Sequence, residues 1–367
     1  MSTRDIDYLR WSKIHPRRRY ELTGSGVSPI CPNDLGEALP VSLEVRGAYG
    51  DPRLTEGIAE LYKVDRTAVV PVPGTSSANF IAMAATLSPG ECVMLERPIY
   101  QPLLRVAEFL DLRVLALPRV PGNGFRVDLA DVETGLAKGA RAIVVTNLHN
   151  PSGHYSPPDR LERLAACCAR AAATVIVDEV YLDAAFLTRG GERWTAASVS
   201  DNIVATSSLT KIYGLGGLRT GWLIAPLPVA ERAREITDLL SVENAAPASE
   251  LAAYALSRIG VLEDRYRQCH KAGQEVVRRW LEGEPRVQGY PNCGALFELM
   301  RLPPEVDSTA FCEALCTKYD TQVVDGRFFE LPGHVRVSTA GPAEELAEGL
   351  GQISAALDER TASSHTP

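Results

Sequence analysis

The chain has 367 residues, 45% hydrophobic and 23% charged, with a formal charge of −8. That length suits one large α/β domain carrying a smaller one; the acidic balance offers no basic field for nucleic acid, and no apolar run approaches the roughly 18 residues of a membrane span. The N-terminal MSTRDIDYLRWSKIHPRRRY is too charged for a signal peptide, and the eight cysteines form no Cys-x-x-Cys pair, so the expectation is a cytoplasmic protein with reduced thiols, no disulfide and no metal.

In chain order, Arg17, Arg18 and Arg19 read as a solvated basic face. Seven short β-branched runs follow, at 68–72, 92–96, 113–117, 142–147, 174–179, 203–208 and 221–226, with helical stretches between most of them. Their continuous apolar character fits strands covered on both faces. In the helix after 157, Leu161, Leu164, Ala165 and Cys168 share one face, which reads Cys167 and Cys168 as packing. Segment 207–220 holds Gly214, Gly216 and Gly217 and no convincing crossover helix, so the run at 221–226 should lie antiparallel to its neighbour. The expected fold is α/β: a three-layer αβα domain with a mixed, mostly parallel seven-stranded sheet, plus a smaller α+β domain whose strand candidates include GALFELMRL and HVRVSTA. The predicted division is 40–255 for the large domain, 1–39 with 256–360 for the small one, and a disordered tail at 361–367.

Ligands of such sheets collect beyond the carboxyl ends of the strands. There the sequence places PGTSSAN, NLHNPSG, DEVY and SSLTK after four different runs. Gly74, Thr75, Ser76 and Ser77 open an alanine-rich helix, where outward N–H groups and hydroxyls suit a phosphate; an ordinary helix cap is the competing reading. Lys211 follows two serines, and Arg219 lies eight residues on. A buried lysine beside another cation is partly deprotonated and able to condense with a carbonyl, while Ser208 and Arg219 suit the phosphate of a phosphorylated aldehyde. Alone, Lys211 would read as a solvated loop lysine. Asp178 ends a buried strand and needs a cationic partner, either an arginine or a protonated pyridine nitrogen. Asn150 and Tyr181 are placed to donate hydrogen bonds to a ring oxygen; a turn asparagine and a core tyrosine are the alternatives.

The runs YGDP, GTSSAN, RPIYQP, NPSG, DEVY, SLTK and GLRTGW resemble, in order and spacing, those of class I/II aminotransferases of pyridoxal-phosphate fold type I, over about residues 45–340. The resemblance implies pyridoxal 5′-phosphate as cofactor, with Lys211 as the Schiff-base lysine and proton carrier. It implies Asp178 at the pyridine nitrogen, Asn150 and Tyr181 at the ring oxygen, and Tyr100 stacked on the ring. Thr75, Ser76, Ser208 and Arg219 would form a phosphate cup. Tyr49 would reach the phosphate of a neighbouring subunit, hence a homodimer with shared sites. Arg336, with Asn150, would hold the substrate α-carboxylate. Leu209 and Thr210 stand where the family often has Phe-Ser or Leu-Ser. Where dicarboxylate-specific members carry a second arginine, this chain has Glu243 and Asn244, which argues against an aspartate-type substrate. His149, beside Asn150, reads as a hydrogen-bonded turn residue.

The expected activity is amino-group transfer between an L-amino acid and a 2-oxo acid, in amino acid metabolism. A lyase, decarboxylase or oxidase using the same cofactor remains open, because the protein chooses which bond breaks. A ligand-sensing module is disfavoured, since only some forty residues precede the sheet region and the charge is acidic.

Overall fold

The computed structural model describes residues 6–31, 34–36, 43–44, 46–47 and 49–363. The chain opens with α1 (Asp7–Ile14) and the two-residue strand β1 (Tyr20–Glu21). Helix α2 (Pro52–Tyr62) follows. Its start is set by Asp51, whose carboxylate accepts the Arg53 N–H, and by Pro52, whose ring presets the first helical φ.

Strands and helices then alternate: β2 (Val69–Val72), α3 (Gly74–Thr86), β3 (Cys92–Arg97), α4 (Gln101–Phe109), β4 (Arg113–Pro118), α5 (Leu129–Ala137), β5 (Ala140–Thr146), α6 (Pro158–Ala169), β6 (Thr174–Asp178), α7 (Leu182–Arg189), β7 (Ile203–Ser208), β8 (Gly221–Ile224) and α8 (Leu227–Leu240). The seven strands form one sheet in the order β2-β8-β7-β6-β5-β3-β4. From β7 to β4 all neighbours are parallel, whereas β8 is antiparallel to both β2 and β7. The reason lies between β7 and β8, where only a three-residue 3-10 turn, Gly216–Leu218, forms. Without a crossover helix the chain turns back on itself.

Both faces of the sheet are covered, which explains the unbroken apolar runs. Val93 and Leu95 pack with Ile81 of α3 and Leu103 of α4 on one side. Met94, Ile143 and Val145 pack with Leu161, Leu164 and Cys168 of α6 on the other. The result is the three-layer arrangement expected from the sequence.

Helix α9 (Ala246–Ser257) packs Ala252 and Ala255 on Leu54 and Ile58 of α2. The second unit comprises α10 (Ile259–Gly283), β9 (Gln288–Gly289), β10 (Phe297–Arg301), α11 (Ser308–Lys318), β11 (Thr321–Gln322), β12 (Val324–Asp325), β13 (His334–Ser338) and α12 (Ala343–Ser363). Strands β12-β13-β10-β9 make an antiparallel sheet. Its apolar face packs on Val277 of α10, Phe311 of α11 and Leu350 of α12. The two long strand candidates are β10 and β13. Strand β1 pairs in parallel with β11, which ties the N-terminal segment to this unit. Helix α12 continues past position 361, where the sequence reads as a tail, to Ser363; residues 364–367 lie outside the described residues. Among the described residues no helix is long and apolar enough to cross a membrane, and all eight cysteines are free.

Candidate active site

Because β8 is antiparallel to both β2 and β7, strands β2, β5, β6 and β7 all end at the same edge of the sheet, where β8 begins. A cavity of about 650 Å³ opens there, between that edge, α1 and the segment after β1. Thr75, Ser76, Tyr100, Asn150, Asp178, Tyr181, Ser208, Lys211 and Arg219 all line it.

At one end, α3 begins directly after β2 without a side-chain cap, at Gly74 with φ +82°. A Cβ on Gly74 would lie 2.5 Å from Arg219 Nη2, so the guanidinium rests against the glycine backbone. Arg219 itself adopts the left-handed conformation, φ 51°. Among the described residues no carboxylate pairs with it. The Thr75 hydroxyl is buried and has no hydrogen-bond partner, an orphan that natural structures rarely leave unexplained. The end of the cavity is therefore a cradle of N–H groups, hydroxyls and one guanidinium, suited to an anion.

Asp178, the last residue of β6, is 3% exposed. Asn79 Nδ2 donates to its Oδ2 at 2.7 Å and Val180 N to its Oδ1 at 3.0 Å, while Thr206 Oγ1 fixes Asn79 by donating to its Oδ1 at 2.6 Å. Burial pushes the Asp178 carboxyl up to about 6, against the hydrogen bonds of Asn79 and Val180 and the charge of Lys211, which pull it down. The arginine partner considered from the sequence is not there: among the described residues no cation forms an ion pair with Asp178.

Lys211 lies in the turn between β7 and β8, and its Nζ donates to Ser25 Oγ at 3.0 Å. Part of its side chain faces the open cavity. Burial of the amine nevertheless lowers its proton affinity, reinforced by Arg336 and Arg219 and opposed by Tyr8 and Asp178. Tyr181 is 4% exposed and lines the cavity with Ser25; burial pushes its phenol up, opposed first by the charge of Arg336. Tyr100 precedes α4 and meets Tyr8 edge to face, with ring centroids 6.0 Å apart.

At the other end, behind the lining residues Tyr8 and Asn150, Arg336 of β13 is 1% exposed. Its Nη1 donates to Asn150 Oδ1 at 2.9 Å and its Nη2 to the Tyr8 hydroxyl at 2.7 Å, and Nε has no partner. The rings of Phe329, Phe297 and Tyr8 surround it at 4.9, 5.0 and 5.6 Å. Among the described residues no carboxylate pairs with it, so this buried cation awaits an anion. Asn150 is held from behind: its N–H donates to Thr146 Oγ1 at 3.1 Å, Thr146 donates to Glu96 at 2.6 Å, and Glu96 is paired with the buried Arg119.

Four residues weighed in the sequence lie elsewhere. Tyr49 is 47% exposed and outside the cavity, with the Arg234 guanidinium 5.9 Å from its ring. His149 is fully buried between Ser152 Oγ and the Pro98 carbonyl, its proton affinity held well below the usual range by burial, so it braces the loop as a neutral ring. Glu243 and Asn244 line a separate small cleft with Asp51, Arg53 and Glu250. Tyr8, Ser25 and Asn79 were not singled out from the sequence, although Asn79 lies four residues after Thr75 and three after Ser76, on the same helical face.

Lys211, the unpaired Asp178 carboxylate and Arg219 at the strand ends of the α/β sheet, with Arg336 of the small sheet bonded to their neighbour Asn150, suit an anionic, carbonyl-bearing cofactor. The chain belongs to the class I and II aminotransferases, whose family model matches residues 43–353. It is 25% identical to the arginine–pyruvate transaminase AruH of Pseudomonas aeruginosa, over 95% of this chain and 93% of that one. It is 29% identical to capreomycidine synthase of Streptomyces vinaceus, over 84% and 80%. A pyridoxal-phosphate-dependent aminotransferase from Streptococcus suis shares the fold, with a TM-score of 0.88 and 22% identity over 98% of this chain and 99% of that one. The protein is thus a transferase of amino groups that uses pyridoxal 5′-phosphate. The orphaned Thr75 hydroxyl, the Gly74–Arg219 cradle and the unpaired Asp178 carboxylate fit that cofactor.

Proposed function

We propose that this chain moves an amino group between an L-amino acid and a 2-oxo acid, with Lys211 as the proton-carrying group. When bound, the cofactor supplies an electron-withdrawing ring that accepts the electron pair left when a bond at the substrate Cα breaks. Thr75, Ser76, Ser208 and Arg219 would hold its phosphate, and Lys211 Nζ its aldehyde carbon. Asp178 would pair with the ring nitrogen and keep it protonated; Asn150 and Tyr181 would bond the ring oxygen, and Tyr100 would cover the ring. Arg336, steadied by Asn150, would grip the substrate α-carboxylate in a fork of charged hydrogen bonds. Freed by the incoming amine, the Lys211 amine would carry the proton away from Cα.

What supports this reading best is that one cavity is lined by Lys211, a buried carboxylate without a cation and Arg219 without a carboxylate, with Arg336, likewise without a carboxylate, bonded to its lining residues Asn150 and Tyr8. The sequence-based division, 40–255 against 1–39 with 256–360, would put the cofactor residues, Tyr49 among them, on the large domain and Arg336 on the small one. We also read the protein as a cytoplasmic homodimer. The eight free cysteines support the first. The exposed Leu43, Tyr49, Leu239, Leu240 and Val242 support the second; Tyr49 would then serve the partner's phosphate.

The test is to mix the holoenzyme with single amino acids, without an acceptor, and follow the cofactor's absorbance and the released product. Stoichiometric 2-oxo acid, with the cofactor converted once to its amine form, is expected. Catalytic ammonia release would sink it. Lys211→Ala should lose the absorbance band of the lysine-bound cofactor. A second reading, in which the same cofactor drives elimination or ring closure, is favoured by one observation, the synthase among the relatives; its signature would be product formed repeatedly without an acceptor.

A further inference from the structure

The segment after β1 reaches from the small sheet to the lysine turn. At one side it is pinned by Leu22, whose N–H donates to Gln322 O at 2.9 Å and whose carbonyl accepts Ser338 N at 2.8 Å. At the other, Val27 N donates to Lys211 O at 2.9 Å. Between the pins the fit is close. A Cβ on Gly26 would lie 2.7 Å from Lys211 O and 2.9 Å from Lys211 Cα, so no other residue enters without displacing backbone. A Cβ on Gly24 would lie 3.1 Å from Ser338 Oγ. Ser25, 8% exposed, is thereby held with its hydroxyl accepting from Lys211 Nζ at 3.0 Å, on the same cavity wall as the Tyr181 phenol.

We propose that Ser25 is a positioning residue for the Lys211 amine, holding Nζ at the cavity wall during proton transfer. The inference rests on the reading of Lys211 as the proton carrier. A lysine amine swings on a flexible four-carbon stem with about 2 kcal/mol of rotamer entropy, and its lone pair must point at the carbon it deprotonates. With one N–H bound to Ser25 Oγ, the neutral amine keeps its lone pair and second N–H for the reaction. Nζ would take the proton from Cα, become an ammonium still bonded to Ser25, and give the same proton up at the cofactor's former aldehyde carbon. Ser25 ends unchanged. A serine that only fills space between two glycines would contribute none of this.

Ser25→Ala separates the two roles. In the holoenzyme, kcat for a donor amino acid should fall about 10–100-fold, with KM within about twofold, and deuterium at Cα should slow the variant by a larger factor than it slows the parent. A readout independent of turnover uses the enzyme after a single half-reaction with an amino acid, when Lys211 is free. Its labelling by trinitrobenzenesulfonate, followed by peptide mass across pH, should shift to lower pH in Ser25→Ala, because the ammonium loses an acceptor. Unchanged kcat with an unchanged labelling profile overturns the proposal, as does a change confined to KM. Should Ser25→Ala not fold, Ser25→Cys is read the same way. If the parent enzyme shows no stoichiometric amino transfer, the functional reading fails whatever Ser25 does; if it does, and Ser25→Ala matches it in both measurements, only the positioning role fails.

Discussion

The two ends of the cavity meet an anion by opposite means. At the Arg219 end the donors are local: the start of α3, a glycine that lets a guanidinium lie against backbone, and an arginine that is itself exposed. At the Arg336 end the guanidinium is enclosed by three aromatic rings and held by residues 186 and 328 positions away in the chain. Enclosure removes the screening that water gives an exposed charge, so each hydrogen bond there is stronger and each unmet one more costly. The enclosed end should therefore govern discrimination of substrate, and the open end retention of the cofactor.

Arg336→Leu is the strongest way to break that contrast. Losing a fork of charged hydrogen bonds costs about 3–4 kcal/mol, which corresponds to a fall of roughly 10²–10³-fold in kcat/KM for the donor amino acid. Cofactor affinity, measured by absorbance titration, should stay within a few-fold of the parent. A variant that instead sheds its cofactor would show that the two ends are not separable.

Asp178 sharpens the contrast because it is as buried as Arg336 yet ends a strand of the large sheet. In the folded chain its carboxyl titrates at about 6, against an ordinary value of 3.8. Between those values the folded state keeps a proton that the unfolded state has released, so stability falls as pH rises through the window and levels off above it. For the cofactor-free protein the fall is about 3 kcal/mol. It should appear as a melting temperature that drops between pH 4 and 6 in the parent and stays flatter in Asp178→Asn. Loaded enzyme should lose most of that slope, since a protonated ring nitrogen holds the carboxylate ionised. A slope unaffected by the cofactor would place the cofactor's cation away from Asp178.

Arg219→Ala is expected to do less than Arg336→Leu. An exposed guanidinium forms screened hydrogen bonds worth about 2 kcal/mol in sum, so cofactor affinity should weaken roughly 10–50-fold. With the cofactor at saturation, kcat/KM should change only a few-fold. Equal losses of substrate and cofactor affinity would erase the difference between the ends.

The same asymmetry decided how much was legible in the sequence. The sheet was legible because its strands are covered on both faces and so read as continuous apolar runs; the antiparallel β8 followed from a glycine-rich link with no room for a helix. Thr75, Ser76, Ser208, Lys211 and Arg219 fall within two short runs at strand ends, and local spacing was enough to place them around one cavity. Tyr8 was not legible. In sequence it is one aromatic of a short amphipathic helix, a pattern that signals packing and nothing more. Its meeting with Arg336 depends on β1 pairing with β11, a two-residue contact that no periodicity announces. Ser25 was hidden for the same reason: a serine between glycines reads as a turn until Val27 is seen docked on the Lys211 carbonyl.

Tyr8 also supplies the finest test of the enclosed end. Its hydroxyl oxygen accepts from Arg336 Nη2, which leaves the phenolic proton free to donate, while its ring packs with Phe328 and Phe329. Tyr8→Phe removes the hydroxyl and keeps the ring, so the aromatic enclosure of Arg336 should survive. A single hydrogen bond to a bound carboxylate contributes about 1 kcal/mol, and KM for the donor amino acid should rise roughly fivefold with kcat little changed. A fall in KM would mean that the hydroxyl competes with substrate for Arg336, in which case α1 must shift before the carboxylate can bind.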